Sequence, residues 1–276
     1  NMETPFLQNA KAPPKIDWTN CLFLLAVHLM GLAGILYMVF IKFSWMTVGL
    51  AIIWSTLCSL SLTAGYHRYF SHKSYHCAPA IWIAYLFFGA ASFQNSVLKW
   101  ASDHRLHHGH TDDDLDPYNI TKGFLWAHIG WVLHKSTPPD FSNVKDLMMQ
   151  PWIVFQQRFY VPLGITFGFV LPLALGFLWE DPLGALFVVS FLRLVIQYHA
   201  AFSVNSFAHA IGSQPYSTND SSRDSLVTLF FTLGEGGNHN FHHRFPSDYR
   251  NGVRPIDYDP TKWFIWVLSL TGLASR

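Results

Sequence analysis

Apolar residues in this chain run in long unbroken blocks rather than at the spacing of an amphipathic helix or strand. Residues 21–41 contain no Asp, Glu, Lys or Arg, and after Lys42 the stretch 43–66 is again free of them. Residues 79–98 and 159–179 form two more such blocks, and 183–207 a fifth, broken only by Arg193 and His199. A helix needs about 20 residues to cross a bilayer core, so all five are long enough to be considered as spans. The last run, 263–274, is too short and is expected at the membrane interface.

Composition supports a lipid environment. Half of the 276 residues are hydrophobic and only 13% are charged, against about 25% in ordinary soluble domains. A net charge of +1 leaves no electrostatic footprint for nucleic acid. Cys21, Cys58 and Cys77 show no paired spacing and read as packing residues. Residues 1–20 are polar and Pro-bearing, without the short apolar core of a secretory leader.

The fifteen histidines carry the chemistry. Three groups stand out: His67-Arg-Tyr-Phe-Ser-His72, His104-Arg-Leu-His107-His108 and His239-Asn-Phe-His242-His243. Neutral imidazole binds iron, zinc and copper. On a helix, positions i, i+3 and i+4 fall within about 100° of arc, so each HxxHH group aims three rings toward one side. His67 and His72, five apart, diverge by about 140° on an ideal helix; they converge only at a helix end or by reaching different metals. Eight imidazoles exceed the three or four ligands of a zinc site and suit two metals, with an O2-using dinuclear iron centre the natural candidate.

One shared site fixes the topology. If His67 and His72 join His104, His107 and His108, the block 79–98 cannot cross between them, because a crossing would separate them by about 30 Å. It is therefore expected as a re-entrant or interfacial helix. The spans are then 21–41, 43–66, 159–179 and 183–207, in two hairpins with both termini on the histidine side. Sixteen of the 18 Lys and Arg then fall on that side, which the positive-inside rule makes cytoplasmic. The fold expected is an all-α integral membrane domain of four transmembrane helices, with a cytoplasmic helical cap holding a dinuclear metal site.

With their flanks, these motifs resemble the membrane fatty acyl desaturases, and within them the stearoyl-type acyl-CoA desaturases. The flanks are Gly65-Tyr-His-Arg-Tyr-Phe-Ser-His72, Phe93-Gln-Asn-Ser-Val-Leu-Lys-Trp100, Asp103-His-Arg-Leu-His-His108 and Thr111-Asp-Asp-Asp-Leu-Asp-Pro-Tyr-Asn119. Asn205-Ser-Phe-Ala-His209, Gly234-Glu-Gly and Phe245-Pro-Ser-Asp-Tyr-Arg250 complete them, and the likeness runs from about Trp18 to Trp263. It implies nine metal ligands: His67, His72, His104, His107, His108, His209, His239, His242 and His243. It also implies that Asn205 approaches one of two irons through water. One departure is Gly237-Asn238, where the family usually has a single residue before the third histidine group. The extra residue is expected to bulge the loop near Glu235.

The activity so implied is O2-dependent insertion of a cis double bond into a saturated acyl thioester, of the acyl-CoA Δ9 type. It needs two Fe ions and electrons from a separate donor, a ferredoxin or a b-type cytochrome with its reductase, since no haem domain follows Trp263. A bent substrate tunnel is implied, with Gln94 and Trp100 at its kink. Ser55 and Ser59, on one face of the second span, are candidates for its floor. Lys135, with Lys122 and Arg105, is a candidate for the phosphate-bearing head group. Asp112, Asp113, Asp114 and Asp116 are expected to hold ligand histidines or arginines. Arg193, inside a span, is expected to have a buried structural partner. His28 and His199 are expected to bond a neighbouring backbone or helix, and His76, His110, His128 and His134 lack a second ligand at useful spacing or fall outside the family motifs. The rival readings are a diiron hydroxylase or monooxygenase of an acyl or alkyl chain and, more remotely, a histidine-rich metal transporter or sensor.

Overall fold

A computed structural model describes residues 15–136 and 141–275. The polar segment 1–14, the greater part of the stretch read as lacking a leader, lies outside the described residues. Four helices are long and apolar enough to cross a membrane: α1 (Trp18–Phe40), α2 (Trp45–Ser71), α7 (Tyr160–Trp179) and α8 (Pro182–Ala210). Between them lie α3 (Pro79–Ala90), α4 (Val97–Gly109), α5 (residues 126–133) and α6 (Pro151–Arg158). Two short helices follow, α9 (His239–Arg244) and α10 (Pro260–Leu270). The described strands form one small ladder, His76–Cys77 antiparallel to Ala274–Ser275.

Small residues let the spans approach. A side chain on Gly34 would meet the Phe187 carbonyl oxygen at 3.0 Å, and one on Gly31 the Val195 methyl at 2.8 Å, so α1 and α8 pack backbone to backbone. At the end away from the histidines, Asp181 is buried. It accepts from Tyr37 Oη at 2.7 Å, Thr47 Oγ1 at 2.5 Å and the Gly184 amide at 3.2 Å. This aspartate ties α1, α2 and α8 together.

The block 79–98 is not one helix. α3 stops at Ala90, Phe93 and Asn95 turn left-handed (φ 49° and 75°), and Ser96 caps α4 by accepting from the Lys99 amide. The freed carbonyls find donors on α8. Arg193 gives Nη2 to the Ala91 oxygen at 3.0 Å, Nη1 to Gln197 at 2.9 Å and Nε to the Val189 oxygen at 2.9 Å, while Tyr198 Oη reaches the Phe93 oxygen at 3.2 Å. The buried partner of Arg193 is thus a helix C-terminus, the negative end of a macrodipole. At 12 residues, α3 reaches about 18 Å, too short to cross.

The short apolar run 263–274 falls largely in α10 (Pro260–Leu270). Ile265 and Leu268 are buried, whereas Trp266, Val267 and Leu270 are exposed, and Thr261 Oγ1 meets Thr63 Oγ1 of α2 at 2.8 Å. Replacing Arg193 with Met is expected to lower stability by about 1–3 kcal/mol, since it strands buried acceptors. Thermal unfolding in detergent checks this, and an unchanged midpoint would count against the capping role.

Candidate metal centre

Nine imidazoles from four stretches of chain meet in two groups. His67, His72, His104, His108 and His242 form one; His107, His209, His239 and His243 form the other. Within each group, one ring nitrogen per residue lies within 4.8 Å of all the others. The Nε2 atoms face inward: His72 to His104 at 2.8 Å, His67 to His242 at 2.9 Å, His108 to His242 at 3.0 Å. In the second group His209 and His243 stand 3.0 and 3.1 Å from His239.

Local backbone geometry explains the sorting. The last part of α2, Ser61–Ser71, is a wide π-helix, whose i→i+5 bonds bring residues five apart into register. The His72 amide donates to the His67 carbonyl at 3.1 Å, so the pair expected to diverge shares one group. In each HxxHH motif, i and i+4 lie about 40° apart, while i+3 falls about 60° to the other side. The i, i+4 pair therefore goes to one group and the i+3 ring crosses to the other. His104 and His108 join the first and His107 the second; His239 and His243 join the second and His242 the first.

The Nδ1 atoms face outward to acceptors. His107 Nδ1 stands 2.8 Å from Asp116, and His67 Nδ1 2.9 Å from Glu235. His209 Nδ1 stands 2.8 Å from Ser221 Oγ, which donates to Asp112 at 2.6 Å, and His243 faces Asp220 at 3.7 Å. Of the acidic loop, Asp112 and Asp116 thus serve the histidines. Asp113 pairs with exposed His110, and Asp114 lines the adjoining cavity. Burial, and then the neighbouring rings, hold His72, His104, His108, His242 and His243 well below the ordinary histidine value. His239 is pushed down to about 3 by the same causes. Neutral, buried, oriented imidazoles are the state in which histidine ligates a transition metal, and the donor set fits two such ions.

Sequence reasoning did not foresee Glu235 as an anchor. Burial alone would raise its carboxyl, but the Arg68 guanidinium and His67 hold it down to about 2. Oε1 accepts from Arg68 Nη2 at 2.6 Å, and Oε2, which faces His67, also accepts from Asn251 Nδ2 at 2.9 Å. The one legible sign was an acidic residue four positions before His239. The extra residue at Gly237-Asn238 sits in irregular turns that still deliver these contacts.

A cavity of about 1310 Å³ adjoins the centre. Ser59, Gln94, Trp100, Lys122, Lys135 and Asn205 line it, together with His67, His104, His107 and His239. Trp100 stacks on His104 with ring centroids 4.8 Å apart. Ser55, one turn further along α2, is not among the described lining residues. Arg105 is occupied elsewhere: it donates to the Phe70 and Ser71 carbonyls at 2.8 and 2.9 Å and pairs with Asp146, closing the end of α2 rather than meeting a ligand.

The fold and site define a membrane protein of four spanning helices with a paired histidine centre beside a deep cavity. The family model described as "Fatty acid desaturase" matches residues 43–255, and the chain belongs to that family. It is 42% identical over 262 residues to a "Probable acyl-CoA desaturase" of Schizosaccharomyces pombe, covering 94% of this chain and 54% of the relative. It is 41% identical over 218 residues to "Acyl-CoA desaturase 1" of Saccharomyces cerevisiae, covering 78% of this chain and 42% of that protein. It is 35% identical over 275 residues to "Delta(9)-fatty-acid desaturase fat-7" of Caenorhabditis elegans, covering 96% and 81%. The chain spans about half the length of the two yeast relatives.

Two outcomes test the centre. Glu235→Gln is expected to weaken metal binding about 10- to 100-fold, read by chelator competition; wild-type retention would remove Glu235 from its anchoring role. The second concerns pH. The folded-state value of His239, about 3, lies below its ordinary 6.5, so the unfolded chain takes up the proton first as pH falls. Stability is therefore expected to decline from about pH 6.5 downward, measured as the denaturant midpoint at stepped pH. A midpoint constant from pH 7.5 to about 5 would contradict it.

Proposed function

We propose that the chain is an O2-dependent acyl-CoA desaturase of the Δ9 type, forming a cis double bond in a saturated acyl chain at a diiron centre. The carrying observation is the contact between centre and cavity: four of the nine clustered histidines form part of the wall of a space large enough for a folded alkyl chain. The nine histidines are proposed as ligands of two irons, with Asn205, one turn before His209, acting through water.

Two irons, when bound, supply the O2 and C–H chemistry that no side chain can perform. The protein's part is positioning, which has to hold to about an ångström. The apolar inner part of the cavity, with Phe23, Leu24, Leu62 and Phe93, takes the chain and excludes water. Gln94 Nε2, Trp126 Nε1 and Trp131 Nε1 are buried there without a protein hydrogen-bond partner, so they supply donors for the polar end of a substrate. Lys122 and Lys135, on the same wall, suit a phosphate-bearing head group. Two electrons per turnover come from a donor, a ferredoxin or b-type cytochrome. The centre faces the cytoplasm, by the excess of Lys and Arg on its side.

Defined saturated acyl-CoA, supplied to the reconstituted enzyme with reduced donor and O2, is expected to yield product lighter by two hydrogens. Gain of one oxygen atom would replace this reading with a hydroxylase. Ser59→Trp is expected to shift preference to shorter chains, measured by competition between chain lengths, whereas Ser55→Trp leaves it unchanged. Equal effects of the two would remove Ser59 from the cavity floor.

A further inference from the structure

Three histidines outside the metal centre meet along the flank of the spans. His28 belongs to α1, His128 to α5 and His199 to α8. His28 Nε2 stands 3.0 Å from His199 Nε2, and His199 Nδ1 stands 3.1 Å from His128 Nε2. An ionisable group within a membrane-spanning segment is costly and points to function; here two spans each bring one to the same place.

The outer contacts of the trio fix its hydrogens. His28 Nδ1 lies 2.7 Å from the Leu24 carbonyl oxygen, which only accepts, so that nitrogen carries the hydrogen. Ser206 Oγ lies 3.0 Å from the Phe202 carbonyl oxygen; with its hydrogen given to that oxygen, Ser206 accepts from His128 Nδ1 at 2.9 Å. Neutral His28 and His128 thus each present a bare Nε2 to the ring between them. The chain of four contacts requires four hydrogens, and three neutral imidazoles hold three. One lone pair faces another unless a further proton is bound. A single metal ion does not resolve this, because His199 turns opposite ring nitrogens to its two neighbours.

We propose that His28, His128 and His199 form a proton-binding site in which His199, as imidazolium, bridges the other two and clamps α5 against α1 and α8. The groups facing the site are few. α1 offers His28 alone, and α5 offers His128, ringed by Phe124, Phe202 and Phe207. His134, just past the end of α5, is bonded to the Gly130 carbonyl. On α8, Arg193 is turned to Ala91 and Gln197. Among the described residues no carboxylate, lysine or arginine contacts the three rings. Apolar surroundings oppose the cation while two charge-assisted hydrogen bonds favour it, so the proton is released as pH rises. α5 contributes Trp126, Trp131 and Val132 to the cavity wall, and the state of the clamp therefore bears on the shape of the cavity.

The test uses the full chain in nanodiscs with 15N-labelled histidine, as wild type, His199→Gln and His28→Phe. Between about pH 6 and 8.5, wild type is expected to show an imidazolium signal that titrates and is missing from both variants. Amide exchange over residues 126–133, corrected for intrinsic rates, is expected to be slower at the acid end in wild type alone. Neutral rings throughout, or the same exchange profile in all three proteins, would overturn the proposal. So would a third equivalent of metal per chain that disappears in His199→Gln, which would make the trio a metal site.

Discussion

The arrangement depends on controlling the second nitrogen of each imidazole. A histidine offers a lone pair on one ring nitrogen only where the other carries a hydrogen, and a buried N–H needs an acceptor. Asp116, Glu235 and the Ser221–Asp112 pair supply acceptors for His107, His67 and His209. These acceptors are held in turn. Asp116 also accepts the Asp112 and Tyr118 amides, and Asp112 accepts the Ser221 amide. The loop after α4 and the segment after α8 are thereby fixed to each other through the histidines they support.

The helices solve a second geometric problem, the delivery of nine rings to two points. An α-helical α2 would splay His67 and His72; the π-helical turn aligns them. The two HxxHH motifs act reciprocally, each giving an i, i+4 pair to one group and its i+3 ring to the other. The two groups are therefore bridged twice by rigid helix, once through α4 and once through α9. That fixes the distance between them more firmly than loops would.

How far the chain could be read from sequence follows from which forces act locally. Uncharged blocks are a one-dimensional signal, and the four long apolar helices fall on four of them. The three histidine groups are also local, so eight rings could be named from spacing; His209 was named from the family resemblance, and all nine do come together. The end of α3 was not legible because its determinants, Arg193 and Tyr198, lie about a hundred residues away on α8. The π-helix was missed because the hydrogen-bond register within a helix leaves no mark in hydrophobic pattern. Glu235 and the His28–His199–His128 chain were missed because a lone acid or histidine has no spacing to read. Arg105 misled because a cation near a motif looks the same whether it binds a phosphate or closes a helix.

The buried cluster around Arg68 shows why the centre needs the segment that follows α9. Arg68 donates to Glu235, to both oxygens of Asp259 and to the Tyr249 carbonyl. Asp259 also accepts the Asn251, Gly252 and Lys262 amides, the last as the cap of α10. A buried ion cluster is weak support for stability, since apolar residues of similar volume often serve as well. Apolar residues would not, however, leave Glu235 ionised beside His67. With Arg68 in place its carboxyl is held down to about 2, so it remains a charged acceptor for the His67 Nδ1 hydrogen. Arg68 Nη1 in turn keeps its partners only while Asp259 and Tyr249 are docked. The histidine geometry of α2 is thus tied through Arg68 and Asp259 to α10, a helix that brings no histidine to either group.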